Sequence, residues 1–334
     1  MRLCKRSITL GIETTCDETG ASVVQNGQIL SNIVASSADI HQKYGGVFPE
    51  LACRRHILAI LPVIQEALAK AQVTPSDIDL IAVAKGPGLI GALLIGMQTA
   101  KGLSISWQKP LIGVNHVEAH LFAAMMETQQ PPLPALGIVL SGGHTLLLKI
   151  SDVGEYEHLS STVDDAIGEA FDKVATLLGL PYPGGPQVEQ LAKQGNPLKF
   201  SFKAGHVKKS PLSFSFSGLK TSVLYAVRES TPADYPDIAA SFQHAAFSDV
   251  AKKAKIAADR FGAQALFVGG GVCNNRRLRE LMQETFPSPS CPIFWPKPEL
   301  TLDNGAMIAA LGERQFLKKP LSEPLDLEVF TRIW

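Results

Sequence analysis

The feature that most constrains the fold is a strand–turn–strand unit that occurs twice, at corresponding places in two successive parts of the chain. In the first, "SITLGIE" and "ASVVQ" flank a turn rich in Thr and Asp; in the second, "ALGIVLSGGHTLLLKI" encloses a turn of Gly, Ser and Thr. Each unit opens a stretch of alternating helix and strand patterns, which predicts a sheet covered by helices. Two such stretches predict a duplicated α/β fold with a ligand between its halves, each turn offering backbone N–H groups to a phosphate.

The apolar patterns that follow each unit support this order. In the first half, "ELACRRHILAILPVIQEALAKA" predicts a long amphipathic helix, and "DLIAVA" predicts a buried strand followed by a helix from about Leu89. In the second half, "ALFVGGG" predicts a strand, and helix signals occupy residues 164–178, 186–194, 218–229 and 237–260. Both halves therefore have the alternation expected of an α/β layer structure.

Composition narrows the class of protein. A chain of 334 residues that is 46% hydrophobic can form one large domain or two domains, and its five scattered cysteines include no C-x-x-C pair that would suggest a disulfide framework or a thiolate zinc site. Lys plus Arg equals Asp plus Glu, so a nucleic-acid partner must use a local basic patch. The sequence reaches a strand-like run within a few residues and has no apolar run long and charge-free enough to be a confident membrane span. We therefore expect no signal peptide and a cytoplasmic protein without a membrane partner.

The stretch "NHVEAHL" predicts a helical histidine pair. His116 and His120 are four residues apart, about 40° around a helix, so both imidazoles can bind one metal ion. Glu118 lies about 200° from His116, whereas a metalloprotease needs its glutamate beside the first histidine. Asp303 in "TLDNGAM" is an attractive third ligand, and two imidazoles with one carboxylate suit Zn(II) or Fe(II). The alternative is a pair of ordinary core or surface histidines.

Three glycine-rich or acidic stretches are candidate binding segments. "SGGHT" can bring the backbone close to a phosphate or be an ordinary hairpin turn. "GGGVCNN" follows a strand, the usual place of nucleotides in open α/β sheets, and Asn274 and Asn275 either bond a base or ribose or cap the next helix. Asp172 lies among apolar residues in "GEAFDKVATLLG", which favours a specific hydrogen bond such as one to a ribose hydroxyl.

Asp17 and Glu18 lie in the first turn, "TTCDETG". Carboxylates there would repel a phosphate unless they bind a metal, align a nucleophile or accept a proton, and a plain hydrated turn is the competing interpretation. A G-x-G-x-x-G pattern at Gly86, Gly88 and Gly91 lacks the acid that a dinucleotide site needs, because no Asp or Glu occurs from Pro87 to Val117. We interpret these glycines as a tight turn with close helix packing.

A mixed segment at 195–217 interleaves basic and aromatic residues. Such a segment either holds RNA through phosphates and stacking or forms a solvated basic loop over a core. Its basic residues are Lys199, Lys203, His206, Lys208 and Lys209, and its aromatic residues are Phe200, Phe202, Phe214 and Phe216.

Ten motifs, in order along residues 10–310, together resemble one family. The chain resembles the TsaD family of tRNA N6-adenosine threonylcarbamoyltransferases, which has a historical glycoprotease label. The resemblance implies an α/β, two-lobed actin-like (ASKHA, RNase H-like) fold with duplicated domains. The motifs are "GIETTCDETG", "YGGVFPELACRRH", "GPGLIGALLIG", "NHVEAHL", "SGGHT", "GEAFDKVATLLGL", "YPGGP", "FSFSGLKT", "GGGVCNNRRLR" and "LDNGAMIA".

The resemblance also implies where the site lies. One lobe comprises residues 1–115 plus about 305–334 and the other residues 116–304, with metal and nucleotide bound in the cleft between them. His116, His120 and Asp303 are the implied ligands of one divalent ion, Fe(II) or Zn(II). The implied substrate-binding residues are Val139, Leu140, Ser141, Gly142, Gly143, Asp172, Gly185 and Asn275.

The family reaction transfers a threonylcarbamoyl group from threonylcarbamoyl-AMP to N6 of the adenosine 3′ of the anticodon, in tRNAs that read codons beginning with A. AMP leaves. We hypothesise that Asp17 or Glu18 aligns or deprotonates the attacking amine, with positioning carrying most of the rate. The expected partners are tRNA, an inactive TsaB-like paralogue and a small TsaE-like ATPase. The alternatives are a metalloprotease, a non-catalytic actin-like nucleotide-binding partner and a small-molecule kinase.

Overall fold

The computed structural model describes residues 7–37, 41, 46–128, 130–287 and 291–332. The chain divides into two compact units: unit 1 comprises Met1–Met126 and Leu302–Trp334, and unit 2 comprises Glu127–Thr301. The sequence-based division lies at residue 115 and at about residue 304, so unit 1 includes His116, His120 and Asp303, all of which that division assigned to the second lobe. The cleft between lobes stays a prediction.

Strands form one sheet in each unit, and parallel and antiparallel pairs occur in both. In chain order they are β1 (Ile8–Glu13), β2 (Glu18–Gln25), β3 (Gln28–Ser36), β4 (Leu80–Gly86), β5 (Leu111–Asn115), β6 (Ala135–Leu140), β7 (Thr145–Asp152), β8 (Glu155–Ser161), β9 (Leu266–Gly269) and β10 (Ile293–Phe294).

Helices connect and cover these strands. In chain order they are α1 (Pro49–Ala71), α2 (Ile90–Trp107), α3 (His116–Met125), α4 (Ile167–Leu177), α5 (Gly184–Ala192), α6 (Ser217–Glu229), α7 (Tyr235–Phe261), α8 (Arg276–Thr285) and α9 (Gly305–Lys318).

The two sheets have the same topology. Unit 1 has the strand order β3-β2-β1-β4-β5 and unit 2 has the equivalent order β8-β7-β6-β9-β10. In each, the first three strands form an antiparallel meander, and the last two continue the sheet parallel to its first strand. The duplicated α/β fold predicted from the repeated strand–turn–strand unit is therefore confirmed.

Unit 1 packs helices closely on its sheet. A Cβ added to Gly88 would lie 2.5 Å from the backbone oxygen of Thr15, and one added to Gly91 would lie 2.5 Å from Sγ of Cys53 on α1. A Cβ at Gly88 would collide with backbone, whereas one at Gly91 would require the side chain of Cys53 to move. The G-x-G-x-x-G pattern thus serves a turn and close helix packing, as its missing acid indicated.

Unit 2 has an aromatic core. The ring of Phe171 on α4 lies 4.8 Å from that of Phe242 and 5.2 Å from that of Phe247, both on α7. Phe214 and Phe216 from the basic and aromatic segment are fully buried in the same core. These two rings are unavailable to bases, and for them the structure realises the alternative of a loop that packs over a core.

The sequence predicted neither a disulfide framework nor a membrane-spanning helix. Cys16, Cys53, Cys273 and Cys291 are free thiols, while Cys4 lies outside the described residues. Within the described ranges, no helix has both the length and the apolar character of a membrane span.

Candidate metal centre and binding turn

A helix cap positions the histidine pair of unit 1. Strand β5 ends at Asn115, whose side-chain oxygen accepts hydrogen bonds from the backbone N–H groups of Val117 (3.0 Å) and Glu118 (3.3 Å). The cap starts α3 at His116, and His120 follows one turn later on the same face. The two buried rings have centroids 4.6 Å apart and meet edge to face.

A second asparagine cap positions the carboxylate. Asn304 accepts a hydrogen bond from the backbone N–H of Met307 at 3.0 Å and so starts α9 directly after Asp303. Oδ1 of Asp303 lies 3.1 Å from Nε2 of His120 and 3.5 Å from Nε2 of His116. One ligand atom from each of the three residues lies within 4.8 Å of the others. This group could hold a metal ion.

The charges around His116, His120 and Asp303 favour a bound cation. Burial, followed by the charges of Asp17 and Asp303, raises the pKa of Glu18 to about 10. Carboxyl groups that share a poorly hydrated site disfavour one another's charged forms, and a cation removes that conflict. In addition, Nδ1 of His120 is buried without a hydrogen-bond partner among the described residues, a cost that proteins usually avoid.

Glu13 also belongs to the site and was not identified from the sequence. This fully buried residue ends β1, and its Oε2 lies 3.0 Å from Nδ1 of His116. Its Oε1 accepts a hydrogen bond from the backbone N–H of Thr15 at 2.6 Å. Burial lowers the pKa of His116, but the nearby carboxylates of Glu13 and Asp303 outweigh it and raise that pKa to about 9. A carboxylate behind a ligating imidazole fixes its ring orientation and increases its basicity.

Thr15 connects the same residues. Its hydroxyl lies 3.3 Å from Nδ1 of His116 and donates to Oδ2 of Asp303 at 3.4 Å. The only sequence signal for this support was an acid at the end of a largely apolar strand, followed by two threonines.

Glu118 takes no part in the group. It lies on α3 between the two histidines, where burial raises its pKa to about 7 and Lys85 acts in the opposite direction. Its charged neighbour is therefore a lysine on β4 rather than Asp303. The geometry agrees with the helical-wheel argument that Glu118 is not a base beside the metal.

The acidic turn between β1 and β2 is anchored from outside the turn. The hydroxyl of Ser37 donates to the backbone oxygen of Asp17 at 2.7 Å. His56 on α1 bonds both ends of the turn: Nε2 lies 3.0 Å from the backbone oxygen of Cys16, and Nδ1 lies 2.8 Å from the hydroxyl of Thr19. These contacts fix the backbone at Asp17, in the turn, and at Glu18, which is the first residue of β2 rather than a turn residue as the sequence suggested.

In unit 2, parallel pairing brings two predicted binding segments together. Val139 on β6 pairs with Gly269 on β9, so the carboxyl ends of these strands meet at one edge of the sheet. Leu140 ends β6 and the 141–144 turn follows it, while Gly269 ends β9 and the other two glycines of "GGGVCNN" follow that strand. A Cβ on Gly270 would lie 2.7 Å from the carbonyl carbon of Leu140, which shows how closely the segments approach.

The 141–144 turn is stable and open. The N–H of Ser141 donates to the oxygen of His144 at 2.8 Å, and the N–H of His144 donates to the hydroxyl of Ser141 at 3.0 Å. Gly142 and Gly143 are exposed, with no atoms within 4 Å of the place where a Cβ would stand. Behind them, the N–H of Gly168 on α4 donates to the oxygen of Ser141 at 3.2 Å. A ligand can therefore reach the turn backbone.

The remaining predicted binding residues support helix starts. Oδ1 of Asp172 accepts a hydrogen bond from the N–H of Gly184 at 2.7 Å, and the adjacent Gly185 has open space at its Cα. Asn275 caps α8 through the N–H groups of Arg277 and Leu278 and donates to Oε1 of Gln243 at 2.8 Å. The capping alternative is thus realised for Asn275. The substrate contacts of these residues stay predictions.

Comparison with known proteins gives close relatives over nearly the whole chain. The family model "TsaD: tRNA N6-adenosine threonylcarbamoyltransferase" matches residues 28–310. The protein of that name from Protochlamydia amoebophila (strain UWE25) is 55% identical over 336 residues, covering 97% of this chain and 97% of the relative. The one from Chlamydia trachomatis serovar L2b is 49% identical over 323 residues, covering 93% and 94%.

A more distant likeness identifies the fold. The crystal structure of full-length HypF in its phosphate- and nucleotide-bound form matches with a TM-score of 0.68 at 14% identity, over 95% of this chain and 47% of HypF. At that identity the likeness shows the fold alone. With the duplicated sheet topology, it confirms the actin-like α/β fold predicted from the sequence.

We expect Glu13→Gln to lower the affinity of the protein for Zn(II) by roughly 10- to 100-fold, because a neutral amide no longer increases the basicity of His116. Titration of the metal-free protein against a chromophoric chelator measures this affinity without any assay of activity. Glu118→Gln, an equivalent change on α3, is the control and should leave the affinity unchanged. Equal Zn(II) affinities for wild type and Glu13→Gln would show that the charge of Glu13 does not contribute to metal binding.

Proposed function

The chain belongs to the TsaD family of tRNA N6-adenosine threonylcarbamoyltransferases, and from that premise we propose that unit 1 binds a divalent metal ion and unit 2 binds the nucleotide part of the acyl donor. The protein is an acyltransferase that forms N6-threonylcarbamoyladenosine in tRNA. Neither the metalloprotease nor the non-catalytic alternative is favoured by this family membership. We further propose that the donor is threonylcarbamoyl-AMP and the acceptor is the adenosine 3′ of the anticodon in tRNAs reading codons that begin with A.

The observation that carries the metal proposal is the convergence of His116, His120 and Asp303. Their ligand atoms lie within 4.8 Å of one another, and two of the three side chains are buried. Two imidazoles and one carboxylate form a donor set suited to Zn(II) or Fe(II) with open coordination positions. When bound, such an ion supplies Lewis-acid polarisation to an anionic acyl donor.

The acidic turn is proposed to serve the attacking amine. In the transfer, the N6 nitrogen forms a bond to the carbonyl carbon, the bond from that carbon to the phosphate oxygen breaks, and AMP leaves with the electron pair. The amine loses one proton in the process. Asp17 or Glu18 either aligns the amine or accepts this proton, and the anchored backbone suits both roles. Glu18 can accept the proton only when it is ionised, a form that a cation in the site would favour.

The open turn of unit 2 is proposed to hold the phosphate and ribose end of the donor. The exposed backbone at Gly142 and Gly143 lets a phosphate approach N–H groups closely, and the edge formed by β6 and β9 is where open α/β sheets bind nucleotides. HypF, which shares the fold, has been crystallised with phosphate and nucleotide bound. Val139, Leu140, Asp172, Gly185 and Asn275 are proposed to complete this site.

A TsaB-like paralogue and a TsaE-like ATPase remain proposed partners, together with tRNA. Unit 1 offers a surface suited to the paralogue. On α1, Ile57, Leu58 and Leu61 are 62%, 72% and 53% exposed, and they recur at the three- and four-residue spacing of one helix face. Ile90 and Leu94 are also exposed, on the adjacent α2. Exposed apolar groups of this kind mark protein interaction sites.

We expect His116→Ala to lower threonylcarbamoyladenosine formation by roughly 100-fold or more, because the metal site loses a ligand. Mass spectrometry of nucleosides measures the product after incubation of tRNA with protein, proposed partners and threonylcarbamoyl-AMP generated in place. The control, His158→Ala, removes an imidazole from β8 of unit 2. Wild-type yields from His116→Ala would rule out a role for the metal site in transfer.

Two substitutions at Glu18 separate alignment from proton acceptance. If the carboxyl group aligns the amine by hydrogen bonding, Glu18→Gln should retain most of kcat while Glu18→Ala loses roughly 100-fold. If it accepts the proton, both should lose about 100-fold or more. Single-turnover transfer rates measure the difference. Full activity in Glu18→Ala would remove Glu18 from the mechanism.

We expect Leu58→Glu to weaken association with the TsaB-like paralogue by roughly 10- to 100-fold, because a charge replaces an apolar contact. Isothermal titration calorimetry with the purified paralogue measures the Kd. Leu198→Glu, an exposed leucine of unit 2, is the matched control. Unchanged binding in Leu58→Glu would place the partner on a different surface.

A further inference from the structure

The segment between α5 and α6 carries several exposed basic side chains. Lys203, His206, Lys208 and Lys209 are exposed, and the three lysines form no ion pair with any of the described residues. Lys199, earlier in the segment, behaves differently: its ammonium group lies 2.8 Å from carboxylate oxygens of both Asp234 and Asp237. The segment is thus neutralised at its start and positively charged in its middle. We call the four exposed residues the basic loop.

The chain that follows the basic loop, residues 214–216, is held by the core on one side and a carboxylate on the other, and the N–H of Gly205 within the loop donates to the oxygen of Ser215 at 3.0 Å. Phe214 and Phe216 are fully buried, and the ammonium group of Lys253 lies 5.0 Å from the centroid of the Phe214 ring. Asp164 accepts hydrogen bonds from the hydroxyl of Ser215 (2.6 Å) and the N–H of Phe216 (2.8 Å). An anchored loop loses less conformational entropy when it binds a partner than a free one does.

Among the described residues, no carboxylate lies within ion-pair distance of Lys203, Lys208 or Lys209. The nearby acid on α7 is Asp249, whose carboxylate is already bonded to Lys253 at 2.6 Å. Burial raises the pKa of Asp249, while the charges of Lys253, Lys252 and His206 lower it. His206 of the basic loop and the exposed Lys252 on α7 therefore both lie near Asp249. Positive charge therefore extends from the loop onto α7.

The loop is also connected to the open turn of unit 2. After the loop, the N–H of Phe214 donates to the oxygen of Ser161 at 3.2 Å, and the N–H of Val163 donates to the oxygen of Phe214 at 2.9 Å. Between these, the N–H of Thr162 donates to the oxygen of Thr145 at 2.9 Å, and Thr145 directly follows the 141–144 turn. The chain that follows the basic loop is thus connected by backbone hydrogen bonds to the strand that follows the candidate nucleotide-binding turn.

We propose that the basic loop is a phosphate-binding surface for the tRNA substrate. The inference rests on the proposed function. The whole chain carries no net charge, so attraction to a polyanion needs a local surplus such as this one. Lysine contacts to phosphates position a nucleic acid without reading its sequence, and the burial of Phe214 and Phe216 removes those rings as stacking partners. Selection among tRNAs must then come from other contacts.

A triple variant tests the proposal. Lys203→Ala, Lys208→Ala and Lys209→Ala are combined in the full chain, and binding of a fluorescent, unmodified tRNA transcript is measured by anisotropy at several salt concentrations. The control combines Lys149→Ala, Lys193→Ala and Lys255→Ala. It removes the same charge from lysines of unit 2 whose ammonium groups are already bonded to Glu157, Gln190 and Asp259.

The loop variant should bind tRNA more weakly and with a smaller salt dependence, the slope of log K against log salt falling by about 2 to 3 for three lost contacts. KM for tRNA in the partner-complete transfer reaction should rise while KM for the acyl donor stays constant. The control variant should keep both the slope and KM. A loop variant with the wild-type slope and KM overturns the proposal.

Two further comparisons separate failure of this inference from failure of the proposed function. Wild-type protein that forms no threonylcarbamoyladenosine in the partner-complete reaction contradicts the proposed function itself. A charge reversal, Lys208→Glu with Lys209→Glu, should weaken tRNA binding beyond the triple variant, while thermal unfolding at the wild-type temperature shows that the fold is intact. Equal tRNA affinity of the charge reversal and wild type would also overturn the proposal.

Discussion

The contact between the buried carboxylate of Glu13 and the imidazole of His116 is the interaction on which the site of unit 1 depends. Both groups lie out of water, and removing one partner of a buried charged pair costs about 3–5 kcal/mol in typical proteins, so such a pair persists only where the backbone holds both groups in place. Parallel pairing of β1, β4 and β5 meets this condition, because their carboxyl ends share one edge of the sheet. Glu13 ends β1 and Asn115 ends β5, so the pair spans that edge.

Asparagine caps convert this edge, and the equivalent edge of unit 2, into candidate sites. Asn115, Asn304 and Asn275 each start a helix by accepting backbone hydrogen bonds, which satisfies the unpaired N–H groups of a helix end. In unit 1, the candidate metal ligands His116 and Asp303 lie next to the capping asparagines, so carboxylates and imidazoles come together at this edge. In unit 2, the same topology presents open glycine backbone instead. One edge is thus suited to a cation and the other to an anionic phosphate.

The differences between sequence-based expectation and structure have a common physical origin. Basic and aromatic residues alternate irregularly in the 195–217 segment, so no period indicated which side chains face inward, and burial of Phe214 and Phe216 separated the two sets. From the sequence, Asn275 could either bind a ligand or cap a helix, because both roles use the same side-chain amide. In the structure this amide caps α8. Glu13 was visible as the end of a strand, but its partner lies 103 residues away in the chain.

By itself the amino-acid sequence determined the duplicated α/β architecture, the family, the helical histidine pair and the exclusion of Glu118 as a metal-side base. These follow from local information: apolar periodicity, turn composition and the angular spacing of residues on one helix. Only the tertiary structure decided that Glu13 and Thr15 support His116 and that Asp303 meets His120 across a separation of 183 residues. It also showed that Lys203, Lys208 and Lys209 form no ion pair within the described part of the chain. Such contacts depend on strand register and helix packing, which bring distant residues together and leave no periodic trace in the chain.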